Sequence, residues 1–216
     1  MTGDQLNTQL GFRLEDTAES IFTKQQKVDA INNAMNQVVV LVDNTYLDEL
    51  ETSTSGSVSN GQALFSALFS TYGNPTRSSI VAVRDYSGGV DKKWFTILDI
   101  KDIKERDNAY MAGTTDNPVC QIFAQSFQVQ PTTINQIKVW YYKTPTAYDY
   151  SDPNSMLTEC ELNIALEPVV LDLAEAELWR SDGRSDRASV AVQNAMQTIQ
   201  VLNGRVDADT PIKEIN

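Results

Sequence analysis

Thr23 to Val42 is the stretch that most restricts how this chain can fold. Val28, Ile31, Met35, Val38 and Val42 recur at steps of three and four, drawing one apolar stripe down a helix of about six turns. Thr23-Lys-Gln-Gln26 opens it with the spacing of a capping box, in which the Thr hydroxyl accepts from the third helical amide and Gln26 reaches back. A shorter amphipathic stretch, Leu6 to Leu14, precedes it across the acidic linker Glu15-Asp16-Thr-Ala-Glu19. Two more stripes close the sequence. Leu162, Leu166, Val169, Leu173 and Ala176 form the first, which runs to Trp179. Pro168 lies inside it, so a kink is expected there, or a fresh start with Pro168 at the first helical position. Ala188, Val192, Ala195, Ile199 and Leu202 form the second, ended by Asn203-Gly204. Gly183 stands where a left-handed residue would stop the first of these helices, and the short break predicts an antiparallel helix hairpin.

The middle reads differently. Residues 52–60, Thr-Ser-Thr-Ser-Gly-Ser-Val-Ser-Asn, have the composition of a flexible loop. Ala63 to Phe69 suits helix or strand, helix being the expectation. Ile80 to Tyr86 and Lys93 to Leu98 flank Ser87-Gly-Gly89 as the arms of a hairpin would. Asp99 to Tyr110 is charged and helix-like. Val119–Val129 and Gln136–Tyr142, on either side of Pro131 to Asn135, predict a second hairpin that Lys143-Thr-Pro145 stops. The expected architecture is α+β, mainly α: a bundle of long amphipathic helices with inserted β-hairpins and an extended C-terminal arm. Its boundaries are a single domain over 1–204, with the helical bundle in 1–50 and 157–204 and the β-hairpin insertion at about 76–145, followed by an arm over 205–216.

Composition removes most catalytic chemistry. The chain has 216 residues and no histidine, so it holds no Ser-His-Asp triad, no imidazole base and no imidazole metal ligand. Its two cysteines, Cys120 and Cys160, cannot build a four-thiolate zinc site. The free thiols fit a reducing compartment. A net charge of -12 disfavours gripping nucleic acid, unless a local basic patch overrides the total. The longest aliphatic run, Val38 to Val42, is far short of the roughly 20 residues that span a bilayer, so no membrane partner is expected.

Acids crowd the segment 159–179, which carries no Lys or Arg before Arg180. Treated as one helix with its stripe inward, the segment puts Glu161, Asp172 and Glu175 on the far side, as a solvated acidic face would be. A di-metal carboxylate site would need inward Glu-x-x-His motifs, and no glycosidase-like pair stands out among the 29 acids. No catalytic residue, cofactor site or metal site is therefore expected, and the chain is not read as an enzyme. Trp140-Tyr-Tyr142 could serve as a base-stacking platform, but the strand's only near basic neighbours are Lys138 and Lys143. Core packing on one face and contact with a neighbouring molecule on the other is the preferred reading.

The order of elements resembles the portal-adaptor, or head–tail connector, proteins of tailed bacteriophages. Phe22-Thr-Lys-Gln-Gln-Lys-Val-Asp-Ala-Ile-Asn-Asn-Ala-Met35 is similar to that family's early helix. Gln136-Ile-Lys-Val-Trp-Tyr-Tyr-Lys-Thr-Pro145 is similar to its strand ending in an aromatic-x-x-Pro turn. Val169 through Arg187, including Ala174-Glu-Ala-Glu-Leu-Trp-Arg-Ser-Asp-Gly183, resembles its Ala-rich penultimate helix, glycine break and final helix. The likeness runs from about residue 20 to 204; the loop at 52–60 and Pro168 depart from it. The resemblance implies a structural virion protein, at the head–tail junction and assembled in the host cytoplasm. It would form a ring of about twelve copies beneath the portal protein, meet a tail or next neck-ring protein, and let DNA pass without specific binding. It makes Glu161, Asp172 and Glu175 candidate channel-facing acids, and Ile212 and Ile215 candidate arm anchors to the portal or a neighbouring subunit. A tail-completion or stopper subunit is the near alternative. A carboxylate-dependent hydrolase or metal-binding helical protein is the alternative from another class.

Overall fold

A computed structural model describes residues 1–69, 79–98, 113–123 and 125–209. The chain divides into two compact units, one formed by 1–50 with 145–216 and the other by 51–144.

The first unit is built on four helices. Gly3–Arg13 (α1) starts at Thr2, whose hydroxyl accepts from the Gln5 amide while the Gln5 side chain accepts from the Thr2 N–H. Lys24–Leu41 (α2) opens on the Thr23–Gln26 capping box that the sequence predicts. Each box satisfies amides that a helix start otherwise leaves to solvent. Glu167–Ser181 (α5) begins afresh with Pro168 in its first turn, after a short 3₁₀ turn at Ile164–Leu166, rather than running from 159 with a kink. It ends as a Schellman motif. Gly183 takes φ +77°, Arg184 N–H donates to Trp179 O, and Gly183 N–H donates to Arg180 O. Ser185–Asp209 (α6) follows, continuing through Gly204 instead of stopping there. Helix α5 packs against α1, α2 and α6. It is therefore buried nearly all round, through Val169, Val170, Leu171, Leu173, Ala174, Ala176, Leu178 and Trp179. A short helix, Pro153–Met156 (α4), lies between the units' boundary at 145 and this core.

Among its described residues the second unit holds seven strands in two sheets, with one short helix, Phe65–Leu68 (α3). Strands Glu51–Ser57 (β1), Gln136–Tyr142 (β7) and Ile80–Asp85 (β3) form a three-stranded sheet with β7 in the centre. Gln62–Leu64 (β2), Ser126–Gln130 (β6), Val119–Phe123 (β5) and Thr96–Leu98 (β4) form the other, in that spatial order. Val83, Ile137, Val139 and Tyr141 from one sheet, and Cys120, Ile122, Phe127 and Val129 from the other, share a core with Phe65, Leu68 and Phe69. Phe69 meets Tyr141 edge to face, ring centroids 4.8 Å apart.

The expected mainly helical bundle with inserted hairpins is corrected. The chain is α+β with about 46 % helix and 22 % strand, has two multi-stranded sheets, and has only four helices of seven or more residues among the described residues. Three misread elements account for this. Residues 51–57 pair with β7 in continuous antiparallel register, Glu51 opposite Tyr142 through Ser57 opposite Gln136, where a loop is expected. The bonds there are backbone ladder bonds that need no apolar side chain. Thr54 Oγ1 donates to Leu68 O, and Gly56 leaves room for the Leu68 side chain, which a Cβ would meet at 2.6 Å. Second, Val119–Val129 is not one strand. It is itself a hairpin, Val119 opposite Gln130 and Phe123 opposite Ser126, while β7 belongs to the other sheet. Third, the Ser87-Gly-Gly89 turn does return the chain along β3, with Asp85 N–H donating to Lys93 O and Phe95 N–H to Val83 O. The returning strand then leaves, and β4 pairs in parallel with β5. The segment Ala63 to Phe69 divides between β2 and α3. The expectation of a helix over 99–110 falls on residues outside those described.

Candidate interaction surfaces

The acid-rich helix has an internal use for two of its three candidate acids. Arg13, in the last turn of α1, donates from Nη1 to Asp172 Oδ1, and the same Nη1 stands 3.8 Å from Glu175 Oε2. Glu175 also accepts from the Trp179 indole N–H at 3.1 Å. The Asp172 and Glu175 side chains are 13 % and 21 % exposed, because α1 covers the face that the sequence leaves open. Glu161 precedes α5 rather than lying on it and accepts from Thr146 N–H at 2.8 Å and Thr146 Oγ1 at 3.1 Å. The three acids are thus drawn into the first unit's own polar network. Ile212 and Ile215 lie outside the described residues. Glu167, a buried carboxylate, meets the Met1 ammonium.

A second ionic feature of this unit escaped the sequence reading. Lys27, on α2, is buried with Asp16 of the acidic linker. Its Nζ donates to Asp16 O at 2.6 Å and stands 3.4 Å from Oδ2. The Asp16 carboxylate accepts from Ser20 N–H, Ser20 Oγ and Ile21 N–H at Oδ1, and from Phe22 N–H at Oδ2. Burial alone would raise this carboxyl, but the donors of Phe22, Ile21 and Ser20 outweigh it and hold it well below the ordinary carboxylate value. The only sequence signal was the linker's acidity, which reads as solvated. The clasp is structural: it fixes the turn that sends α1 into α2.

Two open clefts flank α5. One, about 450 Å³, is lined by Asn33, Asn36, Glu177 and Arg180; the other, about 330 Å³, by Trp179, Asp186, Arg187 and Val190. In the second, the Arg187 guanidinium lies 4.8 Å from the Trp179 ring centre, so the cleft's cation is already engaged; that of Arg184, outside the cleft lining, lies 5.0 Å from the same ring. Among the described residues no three His, Cys, Asp or Glu side chains gather as a metal site would require, and no helix is long and apolar enough to cross a membrane.

The solvent side of α6 is unusual for so acidic a chain. Ala188, Ala191, Ala195, Ile199 and Leu202 are buried along one side. Val190 and Val201, 58 % and 55 % exposed, share the opposite side with Asn194 and Gln197, and no charged residue occurs from 188 to 204.

In the second unit, the outer face of the β1-β7-β3 sheet gathers aromatics with cations. Trp94 is 54 % exposed and its ring centre lies 5.0 Å from that of Trp140. The Arg84 guanidinium lies 4.7 Å over Trp94. The Lys138 ammonium lies 4.8 Å over Trp140 and 5.7 Å from Tyr86. Ser53 and Ser55 of β1 stand opposite Trp140 and Lys138, and Ala82 and Arg84 of β3 flank them on the other side. Two of the three residues of the Trp140-Tyr-Tyr142 motif are core. Tyr141 and Tyr142 are buried, while Trp140 looks outward. The further basic neighbour missing from the linear sequence around Trp140 is Arg84 of β3, brought in over Trp94.

Neither a protein-family model nor a curated protein sequence matches this chain.

Proposed function

We propose that this protein is a structural subunit of a phage neck, forming a ring beneath the portal that joins head to tail and extends the DNA channel. The observation that carries the reading is the outer side of α6. A helix already seated through Ala188, Ala195 and Ile199 carries a second, uncharged side with Val190 and Val201 outward. Burying that side against a neighbour costs no charge desolvation, whereas most of this acidic surface would. Repetition of one heterologous contact by rotation closes a ring without any catalytic residue. Carboxylate-rich surface suits a channel that DNA must traverse without adhering, since each added cation would contribute counterion-release affinity; Asp172 and Glu175, covered by α1 and paired with Arg13, leave that lining to other acids of the chain. The partners in this reading are the portal protein, further copies of the chain and the next ring or tail protein.

The test is light-scattering mass of the purified chain, alone and with its own phage's portal protein. Growth by about ten or more copies only with the portal present is the expected result. A monomer or small oligomer that ignores the portal overturns the reading.

A further inference from the structure

The chain's charge is not shared evenly between its units. The first unit holds 21 acids against 8 cations, a net of -13, and the second holds 8 acids against 9 cations, a net of +1. Together these give the -12 of the whole chain. Within the second unit, the face described above sets Arg84 and Lys138 against Trp94, Trp140 and Tyr86. Of the acids in the same stretch of chain, Asp85 is buried and Asp91 lies 3.5 Å from Arg84.

We infer that this aromatic and cationic sheet face docks on the acidic first unit of a second copy of the chain. Tryptophan, tyrosine and arginine are the residues that dominate binding energy at protein interfaces, and here they stand together, Trp94 exposed and Trp140, Tyr86 and Arg84 half-buried beside it. The partner's chemistry follows from charge: the face needs an acidic surface, and the first unit of every neighbouring copy provides one. The pairing is also directional. Two such faces set against each other would oppose Arg84 and Lys138 to their own copies, so a two-fold dimer through this face is repulsive. A head-to-tail contact is not, and repeated head-to-tail contacts make rings or filaments. The inference deepens the ring reading by naming the neighbouring copy as occupant of this face, and it rests on that reading for closure.

The experiment compares the full-length chain with Trp94→Ala and with the double variant Arg84→Glu/Lys138→Glu, circular dichroism first establishing that each folds. Self-association is measured by sedimentation velocity at high protein concentration, in low and high salt, without portal. Mass growth on added portal is measured in parallel. The expected result is wild-type association that weakens with salt and falls about tenfold or more in each variant. Wild-type association that both variants retain overturns the docking face, and portal-dependent mass growth in the same samples would leave the ring reading standing. Failure of the portal to recruit any copies sinks the ring reading, while salt-sensitive, variant-sensitive self-association would still support the docking face. Quenching of Trp94 by an oligothymidylate, with no self-association, overturns the inference and gives the face to single-stranded nucleic acid instead.

Discussion

Replacing Asp16 by Ala should be among the most destabilising changes available in the first unit, and far worse than replacing its partner Lys27 by Met. In Asp16→Ala the Lys27 ammonium keeps the Asp16 backbone carbonyl but loses the carboxylate, in a site where its side chain is 2 % exposed. Leaving one member of a buried pair costs about 3–5 kcal/mol. The N–H groups of Ser20, Ile21 and Phe22 lose their acceptor as well, which brings the total to roughly 4–6 kcal/mol. In Lys27→Met the carboxylate still accepts from four donors, so the cost should stay near 2 kcal/mol, mainly the orphaned Asp16 carbonyl. Removing both should cost clearly less than the sum, because the stranded ammonium is gone, with a coupling of about 2 kcal/mol. Urea unfolding read by tryptophan fluorescence checks this. In a Trp94→Phe/Trp140→Phe background, Trp179 is the remaining tryptophan and lies edge to face with Phe22, 5.8 Å between ring centres, beside the clasp. Equal costs for the two single variants, or strict additivity in the double, would refute the reasoning. The pH dependence has a fixed sign. The folded carboxyl lies below the ordinary value of 3.8, so its contribution is complete above that value and drains away as the pH falls below it. Asp16→Asn should flatten that acid limb.

Gly183→Ala should cost about 1–2 kcal/mol of the first unit's stability, since φ +77° penalises a Cβ even though nothing lies within 4 Å of it; the urea midpoint reads this. Arg13→Ala should destabilise by roughly 1–3 kcal/mol by leaving Asp172 and Glu175 close together under α1, and neutralising Asp172 in the same chain should recover part of the loss. Burial pushes the Cys120 thiol up to about 12, so Ellman's reagent should leave it unmodified at neutral pH until the second unit unfolds in denaturant. Gly56→Val should destabilise the second unit by about 1–3 kcal/mol through the Leu68 side chain, visible as a shift in its unfolding midpoint.

Helix starts and stops were legible because their determinants are local. Thr23 and Gln26 lie three residues apart, Gly183 acts through its own φ, and Pro168 sets the first turn it occupies. The same local signal, Thr2 with Gln5, marks the start of α1 and went unread. The sheet was obscured for two reasons. Strand β1 is serine, threonine and glycine, so its backbone pairing leaves no mark in hydropathy. The β5–β6 turn lies between Phe123 and Ser126 with no glycine or proline, while Pro131 drew the predicted turn to the wrong place. The acids of α5 were misjudged because the cation that engages them, Arg13, is 159 residues away in sequence. The Trp94–Trp140 face shares that difficulty, since its members meet only through the pairing of β3 with β7 and the return of the chain at Lys93.

The first unit is assembled from two separated stretches of chain, and this orders events during synthesis. When residues 1–50 leave the ribosome, α5, which packs on α2, has not been made. Translation of the intervening segment takes about 5–20 seconds at the usual rate of roughly 5–20 residues per second. Throughout that interval Val28, Ile31, Met35 and Val38 are without their cover, and by its end the second unit has all the strands seen among its described residues. The inserted unit can therefore be native before the unit that frames it, and the exposed stripe of α2 marks the window in which a nascent chain of this protein depends most on chaperones.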